Sequence, residues 1–116
     1  MGAPVNHKRM RPKVGADPTA AERRHWDRVA AKGCVVTGGP ATIHHPTGYA
    51  DRMGRVARSH RVVVGLAPHL HFHDHGEFSV ERLGHRGFYQ EWGVDLLAVG
   101  LAEEAESVAL GILPNG

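Results

Sequence analysis

A chain of 116 residues has room for one domain and one core, because a second core would be starved of surface to bury. Hydrophobic residues at 41% and charged residues at 22% exclude wholesale disorder and a collagen-like fibre, and a single cysteine excludes a disulfide scaffold. The net charge is only +2, yet ten residues are histidine, and that is the feature needing a chemical account.

In chain order, residues 1–16 carry His7, Lys8, Arg9, Arg11 and Lys13 among Pro and Gly, and are expected to form a disordered basic arm before a single domain over 17–116. No apolar run follows those basic residues, so a signal peptide is not expected. Asp17-Pro18-Thr19 predicts a helix start, with Asp17 as cap and Pro18 at the first helical position. The helix should run to Lys32 with Ala21, Trp26, Val29 and Ala30 as its apolar stripe, and Gly33 should end it. It is expected to dock against the body of the domain.

Cys34 to Thr37, the turn Gly38-Gly39-Pro40 and Ala41 to His45 predict a strand, a tight turn and a second strand. Residues 46–59 read as a polar loop, and Arg61 to Leu66, with three consecutive valines, as the strongest strand. Pro68 ends that strand and opens a short helix. Ser79 should cap a helix over Val80 to Trp92, closed by Gly93, and Asp95 a last helix from Leu96 to about Leu110. Glu103, Glu104 and Glu106 interrupt the longest apolar stretch, far short of the roughly 20 residues of a membrane span. A cytoplasmic protein is the expectation.

The charge is unevenly spread, at +4 over residues 1–28, +3 over 29–88 and −5 over 89–116. A basic front suits a polyanion such as nucleic acid, where released counterions drive affinity. All the histidines except His7 and His25 lie between residues 44 and 85. If residues 68–76 are helical, His71 and His75 share one face and His69 and His73 the opposite one; if extended, all four share a side. Either arrangement supplies paired imidazoles, common ligands of transition metals. Adjacent His44 and His45 on a strand must face opposite ways or be splayed by a bulge, so one can hold metal while the other does acid/base work.

The order of these pieces resembles the small phage-type nucleases related to the recombination enhancement function (Ref) protein, in the His-Me finger (HNH, ββα-metal) superfamily. The residues carrying the likeness are Ala21 to His25 through Gly33-Cys34, Ile43-His44-His45, Ser59 to Val63, Leu66-Ala67-Pro68 through His71, and Arg82 to Phe88. The resemblance implies an α+β fold: a small ββα-metal core with a β-hairpin, an N-terminal docking helix and C-terminal helices. It also implies one divalent metal, Mg²⁺, Mn²⁺ or Zn²⁺, with His44 and His71 as ligands, His75 or His85 completing the sphere, and His45 as the general base. Arg55, Arg58, Arg61 and Arg86 would hold the DNA backbone beside the arm's Lys8, Arg9, Arg11 and Lys13, with a recombination protein as a further partner. Relatives carry cysteine or histidine ligands for a structural zinc where this chain has Thr37, Ala67 and Leu70, so that zinc is not expected. The expected function is metal-dependent DNA endonuclease. The alternatives are an inactive DNA-binding module on the same fold and a histidine-rich metal-binding protein.

Overall fold

The structure, a computed structural model, describes residues 17–46 and 59–115. It contains helix α1 (Ala20–Lys32), strands β1 (Thr42–His44) and β2 (Val64–Leu66), the single-turn helix α2 (Pro68–His71), and helices α3 (Val80–Trp92) and α4 (Leu96–Ala109). It is an α+β arrangement, with a two-stranded antiparallel sheet among helices. The basic arm and the segment holding Arg55 and Arg58 lie outside the described residues.

The start of α1 differs from expectation. Thr19, not Asp17, is the cap: its hydroxyl accepts the Glu22 amide while the Glu22 carboxylate accepts the Thr19 amide. This reciprocal pair satisfies two donors at once, which Asp17 two residues earlier could not do. The buried face carries His25 and Val29.

The expected strand over Cys34–Thr37 is a turn. The amides of Val36 and Thr37 each donate to Cys34 Sγ at 3.4 Å, and the ring closes through Gly38 N to Cys34 O and Cys34 N to Gly39 O. With its amides directed at the thiol, the segment cannot form a ladder. β1 pairs instead with β2, in the register Thr42 to Leu66, Ile43 to Gly65 and His44 to Val64. The turn still reaches the sheet, since Val35 N donates to Gly65 O at 3.0 Å. A Cβ on Gly65 would meet Gly33 O at 2.8 Å, so glycine is needed for that approach.

β2 is shorter than the predicted Arg61–Leu66 strand. Val62 and Val63 precede it and are buried without pairing, serving as core residues. α1 and α4 pack on the sheet and on each other, and α2 bridges β1 and α3. The core gathers Cys34, Val64, Leu66, Ala67, Leu70, Val80, Phe88 and Leu96. α3 and α4 begin at Ser79 and Asp95 as expected, each cap accepting an amide three residues on. Gly84, at φ 76° and ψ 170°, breaks α3 internally. Among the described residues no helix is long and apolar enough to cross a membrane.

Candidate functional site

β1 brings Thr42 and His44 to one face, because alternate residues of a strand point the same way. His44, 4% exposed, meets two other histidines. Its Nε2 lies 3.0 Å from Nε2 of His85, delivered by α3 just after the Gly84 break. Its ring also stands edge-on to that of His71 at the end of α2, with centroids 4.9 Å apart. His71 stacks on Phe72 at 4.0 Å.

The hydrogen bonds set the chemistry of His71. The Thr42 hydroxyl donates its single proton to Leu66 O at 2.8 Å, so it can only accept at its 2.7 Å contact with His71 Nδ1. His71 therefore carries its proton on Nδ1 when neutral, which makes Nε2 its lone-pair nitrogen. Desolvation pushes the pKa of His85 below the ordinary histidine value, with Asp95 acting weakly in the opposite direction. Burial thus favours a neutral imidazole there, the form that ligates cations.

His45 faces elsewhere. Its Nε2 is 3.3 Å from Nδ1 of His60, and both rings stand edge-on to Trp26 with centroids 5.3 Å away. Trp26 anchors the group by donating its indole N–H to the His60 carbonyl at 2.7 Å. Adjacent histidines thus enter two clusters, although the expected strand over Ala41 to His45 is shorter, Thr42–His44, and His45 lies just beyond it.

The regular run is not one array. α2 ends at His71, so neither a helix nor a strand carries residues 69–75 together. His75 is exposed, with its ring edge-on to Phe72 at 5.5 Å, and His73 pairs with Asp74 at 3.1 Å. The His71–His75 and His69–His73 helical spacings are therefore not realised. Arg61, read as a DNA contact, gives its guanidinium to Glu104 at 2.6 Å and to the Pro114 carbonyl at 2.9 Å. Arg86 is exposed on α3.

Thr42, His60 and Trp26 were missed from sequence. The spacing of Thr42 and His44 on one strand was a usable signal. Nothing local links Trp26 or His60 to His45.

Among the described residues no group of three or more His, Cys, Asp or Glu forms a preset metal site. The His44–His85 pair nevertheless suits a shared cation, since nitrogens each about 2.0–2.1 Å from one metal lie roughly 3 Å apart. Beside Cys34, the positions Thr37, Ala67 and Leu70 supply no thiol or imidazole. Burial pushes the Cys34 thiol up, but bonds from the Thr37 hydroxyl and the amides of Thr37, Ala67 and Val36 outweigh it and leave the pKa lowered. No family model, curated protein or solved structure matches the chain.

Proposed function

We propose that the protein is a metal-dependent DNA endonuclease on a ββα-metal core, a cytoplasmic enzyme of phage or prophage origin that hydrolyses phosphodiesters with one divalent cation. The observation that carries this reading is the half-buried His44–His85 contact at 3.0 Å with the His71 ring alongside. The reading is supported by the placement of His44 on β1, which pairs with β2, of His71 at the end of α2 and of His85 on α3.

His44 and His85 would hold the cation, and His71 would join as third ligand through Nε2 only on turning toward it, since the three rings do not form a ready site as they stand. When bound, the cation supplies charge neutralisation at the crowded phosphate and the leaving 3′-oxygen. His45 acts as the base. A neutral imidazole accepts a proton from water, and in the tautomer whose Nε2–H donates to His60 Nδ1 the lone pair that takes it is on Nδ1. Arg86 contributes positive charge on the α3 side of the His44–His85 pair.

The test is incubation of purified protein with single- and double-stranded DNA in Mg²⁺, Mn²⁺, Zn²⁺ or EDTA. Cleavage in at least one metal and none in EDTA is expected; no cleavage in any metal removes the enzyme reading. One observation favours a second reading, a DNA-binding module whose histidines only support structure: His45 is packed on Trp26 and shares a nitrogen contact with His60. His45→Ala separates the two, because the nuclease loses cleavage and keeps DNA affinity, whereas the binder never cleaves.

A further inference from the structure

A cavity of about 330 Å³ opens beside the histidine cluster, between α3, the start of α4 and Pro46. It sits at the small end of the roughly 300–1,000 Å³ typical of ligand sites, with room for one ring system rather than an extended chain. His85 forms part of its wall and also makes the Nε2 contact with His44, so the cavity and the proposed phosphodiester site share a side chain. A phosphodiester held at that pair would direct one of its flanking nucleosides here.

The lining identifies the class of occupant. Tyr89 is 55% exposed and offers an aromatic face beside the apolar surfaces of Pro46 and Leu97. Nucleobases bind such faces by stacking. Asp95 brings a carboxylate, one oxygen of which accepts the Ala98 amide at 3.1 Å. Asp95 lines the cavity, its second oxygen can accept a further hydrogen bond, and its negative charge opposes a phosphate inside. Arg86, on the same wall, offers a cation for the phosphate outside.

We propose that this cavity receives the nucleobase next to the cleaved phosphodiester, stacked on Tyr89, and that Asp95 selects bases bearing an exocyclic amine. The inference rests on the nuclease reading and deepens it. Adenine, cytosine and guanine each present an amine to a carboxylate. Thymine has no exocyclic amine, and its one donor, N3–H, is flanked by two keto oxygens that the carboxylate repels.

The experiment uses the full chain, random-sequence single- and double-stranded DNA, and mapped cleavage ends. Wild-type protein should enrich adenine, cytosine or guanine several-fold over thymine at one position flanking the cut. Asp95→Asn keeps the helix cap, since asparagine caps as well, but replaces an acceptor with a donor and should move the preference toward thymine. Tyr89→Ala should abolish the enrichment and raise KM about tenfold or more, while Tyr89→Phe retains both. No bias at either flank, or the same bias in Asp95→Asn and Tyr89→Ala, overturns the proposal. If wild-type protein cuts nothing, the nuclease reading falls and the cavity is judged by 2-aminopurine single-stranded DNA. Quenching that Tyr89→Ala loses upholds a base site, and absent or unchanged quenching removes it.

Discussion

A single hydroxyl decides what His71 can do. Because Thr42 spends its proton on Leu66 O, it holds the His71 Nδ1–H and leaves the lone pair on Nε2, the arrangement by which outer partners orient metal-binding imidazoles. Thr42→Val keeps the shape and removes the acceptor. Divalent-metal affinity should fall about 10- to 100-fold, measured by calorimetric titration, and stability should drop by about 1–3 kcal/mol in thermal unfolding as His71 Nδ1–H and Leu66 O lose their partner; unchanged affinity would mean that His71 does not ligate. His25 uses the same economy for structure. Its Nε2–H donates to Arg61 O at 2.7 Å, and Nδ1 accepts from Ser107 Oγ at 2.6 Å, while Ser107 also accepts from Arg28 Nε. Desolvation lowers its pKa below 6.5, opposed by the bond to Arg61 O. The folded state therefore binds fewer protons than the unfolded chain in the window below pH 6.5, and stability must fall as pH drops through it. Melting curves from pH 8 to pH 5 should show that loss, and Ser107→Ala should cost about 1–3 kcal/mol at pH 8 by stranding two buried groups.

At the scale of elements, the helices were legible and the strands less so. Thr19, Ser79, Asp95, Gly33 and Gly93 mark helix ends by local chemistry, so α1, α3 and α4 follow from the chain to within a residue or two. Val35-Val36 also looks like local chemistry, that of a strand, but the Cys34 thiol draws the amides of Val36 and Thr37 into a turn, a competition that composition does not reveal. For the site, the separation of His44 from His45 was readable from their adjacency on an expected strand, although the strand itself stops at His44. The meeting of His44 with His85, 41 residues on, was implied only by the family resemblance, because it depends on how α3 packs. That packing depends in turn on Gly84. Its φ of 76° with ψ of 170° is a conformation essentially reserved for glycine, and it resets the chain direction immediately before His85. A side chain at 84 meets no neighbour within 4 Å, so the cost of Gly84→Ala is backbone strain alone. The variant should lose about 1–3 kcal/mol of stability, read by denaturant unfolding, or straighten α3 and weaken metal binding as His85 swings from His44. Wild-type values for both quantities would show that the break does not aim His85.

Across the whole molecule, the acidic C-terminal quarter does not stand apart from the basic front. Glu103 meets Arg28 at 2.7 Å and Lys32 at 2.8 Å, Glu106 meets the same two cations, and Glu104 meets Arg61 at 2.6 Å. These pairs fasten α1 and the approach to β2 onto α4, converting a sequence-level charge asymmetry into internal attachment. The positive charge available to a polyanion is correspondingly narrower than the sequence suggests. Arg61 belongs to the fastening, with its side chain 18% exposed, whereas Arg86 is open to solvent beside the proposed site. The two arginines should therefore separate cleanly when each is replaced by alanine. Arg86→Ala should leave the melting temperature near wild type and reduce the slope of log affinity for duplex DNA against log salt by about 0.9, the share of one neutralised phosphate. Arg61→Ala should lower the melting temperature by several degrees, corresponding to about 1–3 kcal/mol for the partly buried Glu104 carboxylate it strands, and leave that slope nearly unchanged. Replacing Lys8, Arg9, Arg11 and Lys13 together should reduce the slope by roughly 3–4 if each meets one phosphate. A slope that ignores the four arm residues and Arg86 alike would remove DNA as the partner, because no polyanion can be held at this surface without releasing its counterions.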